Sequence, residues 1–594
     1  MKYQKIIQSL KPISFFNIVN YYLPLFQNKI RSLLSIKNKA NLRNSSSTYI
    51  LLKKVFGKGF RFEDLIARFF NHHLFSYSNP DKKDAIISYL KSYYSEEINS
   101  YIEMANQVLN KEFTIFGEIV NFNRNVDWFH GFDGDYRWKL KCSEKIDIRP
   151  SQNKHNIDVK YVWELNRHQF LPYLGFAYYY TGDEKYAEAF KELILDWRRK
   201  NPPLYGINWV SGLEISIRLI SWIFSLYFFR ESKQINNSDF FPKMLNSMVQ
   251  HAYYLKHFYT RRSFNHTIGD LTGVYIFSKI FENYKTCNKW EKKFSELLKK
   301  QIQLQIRTDG VNIEQSINYH KFVLEFFSLF ILINPNLKKE NEGRLVKEMC
   351  MYLMHTIKPR YKFPLVGDID DGKVLLLTMK ERQKYFDLLN LGASLFEFQE
   401  LKFITKRLSP ITTLLLGSPD KLKQLNSIEP TKKRIYFDKS GYYIARNNWT
   451  NKANYIFVDF GQFGPQNAAH SHSDITNIVY CYKGKEIIID SGTYTYNKSW
   501  KDRNYLRGSK AHNIVVIDGY DQAIASNWFG WEDKPRIKRN IKEDASNTYL
   551  SCIHDGYRGF LVERIITLNK NIDEIRIQDK IRRIQKNFKK KVIS

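Results

Sequence analysis

The chain has 594 residues, with 92 Lys plus Arg against 60 Asp plus Glu, a formal net charge of +32. A hydrophobic content of 43% with 16% aromatics excludes a mainly disordered chain, 27 Gly and 16 Pro exclude a collagen-like or low-complexity one, and five Cys exclude a disulfide framework. The length suits a multidomain protein with large cores.

The charge has two readings: an anionic partner such as an acidic polysaccharide, or a plain bias toward Lys. The basic residues are dispersed, apart from the run Lys586 to Lys591. No zinc finger, RNA-recognition signature or phosphate-binding loop occurs, so nucleic acid is not the expected partner.

In chain order, Met1 to Lys11 is basic and Ile13 to Phe26 is apolar and aromatic. That stretch is too short to span a bilayer, and it lacks a small-residue cleavage site. No transmembrane segment is expected elsewhere. Residues 1–112 read as a helical extension, and the aromatic stretch Asn121 to Trp138 as a loop-rich lead-in to the next domain.

From Asp158 to about 425, apolar residues recur at helical spacing. Asp183 caps one helix, and Asn201-Pro202-Pro203 ends it. Ser211 to Phe229 is an apolar helix with Glu214 and Arg218 four apart. Further helices are expected over about 241–259, 267–284, 290–306, 318–333, 343–357 and 380–391. Such hairpin succession predicts a closed helical toroid over residues 113–425.

After about 425 the period changes to two. RIYFDKSGYYIARN, ANYIFVDFG, NIVYCYKGKEIIIDSG, HNIVVIDG, YLSCIHDGY, FLVERIITLN and EIRIQDKI read as strands bounded by turn residues. The expected fold is therefore α+β and multidomain: a toroid, then an antiparallel β-sandwich over 426–594, with a C-terminal end that looks short.

Several clusters could carry chemistry. His470 and His472 in AAHSHSD would share a face of a strand, with Asp490 and His512 downstream. Imidazole and carboxylate at strand ends suit Zn²⁺, or they cap turns. Tyr319 and His320 open a helix; a Tyr there is an acid–base candidate or an amphipathic packing residue. Asn265-His266 precedes an apolar run, as a helix cap or as a donor pair for a carboxylate. Glu164, Arg167 and His168 line a cleft or form a buried hub. Trp209 is a sugar platform or a packed core residue beside Glu214 and Arg218. The acidic turn GDIDDG (Gly367 to Gly372) faintly resembles a Ca²⁺ loop without the full spacing.

Taken in order, VKYVWELNRHQ, TGDEKYA, INWVSGLEISIRL, Asn265-His266, DGVNIEQSINYH, PLVGDIDDG, SGYYIAR, HSHSD, IIIDSGTY and RGSKAHN resemble the heparinase II/III family of polysaccharide lyases, which is also similar to alginate and oligoalginate lyases. The resemblance implies a toroid followed by a sandwich, and β-elimination at a 4-linked uronate. It implies that Asn265 and His266 neutralise the substrate carboxylate and that Tyr319 acts as base, acid or both. His470 would be the second acid–base residue, and His472, Asp490 and His512 would hold a structural zinc. Arg167, Trp209, Glu214, Tyr505 and Arg507 are expected to contact substrate, the last two also as candidates to lower the Tyr319 pKa. Asp270 stands where the family pattern has Glu. A periplasmic or cell-envelope location follows from the resemblance, and a cytoplasmic one from the lack of a clear signal peptide.

Two other functions fit part of the pattern. A non-degradative protein of capsule or exopolysaccharide assembly would keep the fold and bind glycan. A toroidal glycoside hydrolase would need two carboxylates flanking the bond, with Glu164, Glu214, Asp368 and Asp370 available.

Overall fold

The computed structural model describes residues 35–44, 49–134, 136–148, 157–236, 239–261, 263–370, 372–375, 381–417, 424–496 and 498–584. The Met1 to Phe26 segment and the basic run Lys586 to Lys591 lie outside these residues. The described chain is helical up to Leu416, apart from short hairpins at Glu112–Asn121 and His130–Arg137, and antiparallel sheet from Arg434 onward.

The helices form two layers, and the sequence decides which layer each joins. Leu171–Thr181, Gly212–Phe228, Phe264–Ile280 and Ile317–Ile333 pack on one another in succession. They are apolar on nearly all sides; every residue of Gly212–Phe228 is buried. A helix without a polar face must be enclosed. The outer helices Glu184–Lys200, Phe240–Phe258, Lys285–Gln305 and Asn341–His355 each pack on an inner one. They are amphipathic: in Lys285–Gln305 the buried Trp290, Phe294, Leu298 and Ile302 recur at helical spacing, with Lys and Glu between them. Each fully buried large apolar side chain adds about 1.5–3 kcal/mol of transfer free energy. The helix Ser95–Leu109 packs on Leu171–Thr181, so the described part of the N-terminal segment shares the toroid's core.

Two antiparallel sheets follow. The first holds Arg434–Phe437, Tyr442–Arg446, Tyr455–Asp459, Ile478–Tyr482 and Lys485–Ile488 in sequence order. The second holds Ile537–Glu543, Asn547–Tyr557, Phe560–Asn569 and Ile575–Arg583. Ile456, Val458, Ile478, Leu550, Cys552 and Ile566 fill the space between them. The other face of the first sheet, with Tyr442, Ile444, Phe457 and Val479, joins the helical core. Its central strands are therefore buried on both faces and read as unbroken apolar runs rather than as alternation. Lys483 and Gly484, both at positive φ, make the two-residue turn between the last two strands. A side chain at Gly484 would meet the Asn451 carbonyl at 2.0 Å.

Three local expectations differ from the structure. HNIVVIDG forms no strand; the Asn513 amide bonds the carbonyls of Ile478 and Ile489, Arg564 takes the Asn513 carbonyl, and Tyr557 takes that of Val515. Side chains thus occupy ladder groups a strand would need. The helix expected from about residue 267 begins at Phe264, so Asn265 and His266 lie inside its first turn rather than capping it. The last strand, expected to end with EIRIQDKI at Ile581, runs on to Arg583, so Arg582 and Arg583 pair with Leu561 and Phe560.

Candidate active site

A cleft of about 720 Å³ opens where the toroid meets the sandwich. On its toroid side lie the first turns of three consecutive inner helices, each 17 residues long. They present Glu214, then Asn265 and His266, then Tyr319. Each helix therefore directs its positive dipole end toward the same space, a setting that favours an anion. Phe264 at φ 43° and Gln315 at φ 57° hold non-glycine residues in the left-handed region beside Asn265 and Glu314. Backbone strain of this kind persists only where surrounding packing enforces it.

Across the cleft, the loop before Ile478 brings His470 onto the Tyr319 ring, centroids 3.6 Å apart and planes 17° from parallel. The Tyr319 hydroxyl donates to Asp370 Oδ2 at 3.1 Å, and Lys160 Nζ donates to the same oxygen at 2.7 Å. Tyr496 O–H faces the Tyr319 oxygen at 3.5 Å, and Lys160 also sits over the Tyr496 ring. Burial, with the nearby Tyr496, Asp370 and Asp368, pushes the Tyr319 phenol well above its ordinary value, so it rests protonated. Asp370 is held below the usual carboxylate range; burial opposes this, but Lys160 and Arg167 prevail.

Glu314 joins the two walls. Its Oε1 accepts from the Asn265 amide at 2.8 Å and lies 3.6 Å from His470 Nε2. Asn265 and His470 therefore flank one oxygen atom. Burial lowers the His266 pKa to about 4, so its imidazole is a neutral donor at pH 7. Trp163, Phe264, Phe322, Tyr496, Trp528 and Phe529 supply aromatic surface to the cleft.

The residues expected to contact substrate separate into two groups. Arg167 and Glu214 reach the cleft but are paired with each other: Arg167 grips Glu214 at 2.6 and 3.1 Å and Glu164 at 2.8 Å. Glu214 pairs with Arg167, not with Arg218, which instead donates to His251 and to the carbonyls of Asn166 and Asn208. Trp209, Tyr505 and Arg507 do not line the cleft. Trp209 is 1% exposed, its indole N–H bonds the Asn201 carbonyl and its ring meets His251. Tyr505 points outward and is 57% exposed. Arg507 is buried and donates to the carbonyls of Asn527 and Trp528, so it braces the turn that forms one cleft wall. The guanidinium beside Tyr319 is that of Arg503, not Arg507. Asp270 is also away from the cleft, buried and accepting the Thr260 N–H.

Behind His470 lies a second cluster. His472, Asp490 and His512 are buried, with potential ligand atoms all within 4.8 Å of one another. His472 Nδ1 and His512 Nε2 are buried and have no hydrogen-bond partner, and His512 Nδ1 lies 3.3 Å from Asp490 Oδ2. Asp459 and Asp474 are buried nearby, both raised by burial and by mutual repulsion with neighbouring carboxylates. Although burial works against it, the Asp490 contact and the charge of Asp474 push His512 up to about 9. Two imidazoles, a carboxylate and a local excess of negative charge have the chemistry that a divalent cation needs.

Sequence reasoning named Asp368 and Asp370 only as spare hydrolase carboxylates and part of a faint Ca²⁺ loop, and missed that they organise these clusters. Asp368 accepts from His470, His472 and Arg503, and Asp370 holds Tyr319. With Arg503 and Lys160 as their partners, these two carboxylates do not form a Ca²⁺ loop. The acidic turn GDIDDG was their signal, but Arg503 lies 135 residues away and nothing local announces it.

An inner ring of helices, an antiparallel sandwich and a cleft at their junction define a toroid–sandwich protein. The chain belongs to the heparinase II/III family: the Heparinase II/III N-terminus model matches residues 69–389 and the Heparinase II/III-like C-terminal model residues 429–587. Relatives named heparin-sulfate lyase, from Bacteroides stercoris and Bacteroides thetaiotaomicron, are each 24% identical over 69% and 65% of this chain. The chain spans 61% and 54% of their lengths. Heparan sulfate lyase HepC from Pedobacter heparinus has a similar structure, with TM-score 0.54 and 20% identity over 81% of this chain and 68% of that one. A crystal structure of heparinase III gives TM-score 0.59 and 19% identity over 79% and 68%. Among the described residues no helix is long and apolar enough to cross a membrane.

Proposed function

We propose that the chain is a polysaccharide lyase that cleaves a 4-linked uronate polymer, of the glycosaminoglycan class, by β-elimination. The observation that carries this reading is the Tyr319–His470 stack facing Asn265 and His266 across one cleft. The names of the heparin-sulfate lyase relatives support it.

The reaction removes the C5 proton of the uronate, breaks the C4–O4 bond and returns a proton to O4, leaving a C4–C5 double bond. The difficulty is C5 acidity, because negative charge must build on a carboxylate that is already an anion. Asn265 and neutral His266, on a helix N-terminus, give the carboxylate fixed donors whose stabilisation grows as that charge builds. The resting Tyr319 phenol carries a proton suited to O4, and its neighbour His470 is placed to take the one from C5. The aromatic walls stack on sugar faces. A hydrolase is less well served: Glu164, Glu214, Asp368 and Asp370 are each bound to an Arg or Lys of the protein.

In this reading His472, Asp490 and His512 hold a structural Zn²⁺. When bound, the ion offsets the buried carboxylates and fixes the loop that carries His470.

The test is ultraviolet absorbance during incubation with heparan sulfate, hyaluronan, alginate and bacterial capsular glycans. A rise with one of them, absent in Tyr319→Phe, is the expected result. Silence across the panel from folded, zinc-supplemented protein overturns the lyase reading for these polymers.

A further inference from the structure

Between the catalytic cleft and the His472–Asp490–His512 cluster stands one fully buried carboxylate, Asp368. Its two oxygens serve different histidines. Oδ1 accepts from His472 Nε2 at 3.1 Å, and Oδ2 accepts from His470 Nδ1 at 3.1 Å. Arg503 spans both oxygens, bonding Oδ1 and, at 2.7 Å, Oδ2. That bidentate grip fixes the plane of the carboxylate, so each oxygen keeps one histidine.

The backbone is held as firmly. The Asp368 N–H donates to the His470 carbonyl at 2.9 Å. The Asp368 carbonyl accepts from Ser316 Oγ at 2.7 Å, and the same Ser316 oxygen accepts the Tyr319 N–H and caps its helix. Gly367 has φ +68°, and a side chain there would meet the carbonyls of Gln315 and His470, each at 2.8 Å. The loop is therefore wedged between the Tyr319 helix and the His470 loop.

This geometry determines which ring nitrogens remain free. With Nε2–H given to Asp368, His472 keeps its lone pair on Nδ1, the atom that is buried without a partner. A carboxylate on the far nitrogen of a metal-binding histidine fixes both its tautomer and its ring angle. With Nδ1–H given to Asp368, His470 keeps its lone pair on Nε2, the atom facing Glu314 and the cleft.

We propose that Asp368 is a shared positioning residue: one carboxylate orients His472 toward a divalent cation and His470 toward the substrate. Loss of Asp368 then damages metal binding and turnover by separate routes. The inference rests on the lyase reading for His470 and on the metal reading for His472.

The test uses the full chain, with Asp368→Asn and the double variant Asp368→Asn/Arg503→Gln. The double variant does not leave Arg503 as a lone buried charge, so it keeps the test open if the single variant fails to fold. Three readouts are taken: the Zn²⁺ dissociation constant by chelator competition, a crystal structure, and kcat and KM at saturating zinc. The expected results are zinc binding weaker by about 10–100-fold, a His470 ring that has left the Tyr319 stack, and kcat that stays at least about tenfold low at saturating zinc with KM changing less.

Unchanged zinc affinity in a folded variant overturns the proposal. So does full recovery of kcat on zinc saturation, or a His470 ring still stacked on Tyr319. A wild-type chain without zinc affinity overturns it too, while leaving the lyase reading intact. A wild-type chain silent on every polymer defeats the lyase reading, and the zinc and crystallographic readouts still decide on Asp368.

Discussion

Replacing Tyr319 with Phe separates chemistry from stability, because the structure assigns very different weights to the ring and to the hydroxyl. The ring is 6% exposed and stacked on His470, and Phe keeps both the burial and the stack. The hydroxyl donates to Asp370 at 3.1 Å, but Asp370 also holds Lys160 at 2.7 Å and the Gly372 N–H at 3.1 Å. Its carboxylate is therefore not left unpaired, and the lost hydrogen bond costs about 1–3 kcal/mol of folding stability. In the proposed elimination the hydroxyl proton goes to O4, a general-acid role worth about 10²–10⁴ in rate, or about 3–5 kcal/mol of barrier. Turnover, followed as ultraviolet absorbance of the unsaturated product, should fall by at least about 100-fold. The melting temperature should fall by only a few degrees, roughly 2–4 °C per kcal/mol or less for a chain of this size. Activity within about threefold of wild type would remove Tyr319 from proton transfer, since a general acid is worth far more. Loss of the folded state would show that the hydroxyl is structural and refute the partition itself.

Four further changes test separate parts of the site. His472→Ala should abolish zinc binding, measured by elemental analysis, and lower the melting temperature; unchanged metal content would reject it as a ligand. Asn265→Ala should lower kcat more than it raises KM, about 10²–10³-fold as for a lost oxyanion donor, because the amide acts most strongly on the developing charge. Trp209→Phe should leave turnover unchanged, whereas Trp209→Ala should cost about 3–5 kcal/mol by opening a cavity in the toroid; a pure rise in KM would restore it as a sugar platform. Burial raises Asp270 from 3.8 to about 7, so the folded state holds its proton more tightly than the unfolded state. Its contribution is full below about pH 4 and is lost as pH rises through 7; Asp270→Asn, still able to accept the Thr260 N–H, should therefore gain in relative melting temperature from pH 5 to pH 8. A difference that stays flat with pH would refute that shift.

The layers of the fold were legible because each leaves a period in the sequence. The inner helices are apolar all round, the outer ones have a stripe, and the second sheet alternates. Tyr319, His470 and the Asn265-His266 pair were legible as residue types in order, though not as neighbours. What failed had a physical cause in tertiary structure. Trp209 before a helix reads the same whether its indole faces the cleft or the core, and the Asn201 carbonyl with the His251 ring decides for the core. HNIVVIDG has strand composition, but the Asn513 amide and the Tyr557 hydroxyl compete for the ladder groups. Asp368, Asp370 and Glu314 act through Arg503, Lys160 and Asn265, and such long-range pairs leave no local pattern.

The distribution of charge around the cleft bears on how such a site would work. The chain carries +32 overall, yet Arg167 is bound by Glu164 and Glu214, Lys160 by Asp370 and Arg503 by Asp368. The groups on the Phe264–Ile280 helix that face the proposed substrate carboxylate are an amide and a neutral imidazole. A free Arg there would grip the ground-state carboxylate strongly, and uniform binding of that kind does not accelerate the chemical step. Fixed dipoles bind the singly charged group more weakly and respond as charge moves onto its oxygens, which is where elimination needs help. Under the proposed function, the dispersed basic residues would draw a polyanion to the cleft by their long-range field, while the cleft itself would select for the transition state. On this account added salt should raise KM by screening the field and leave kcat nearly unchanged, because the contacts at the reacting uronate are buried. A kcat that falls as steeply as kcat/KM with salt would place a mobile surface cation in the chemistry instead.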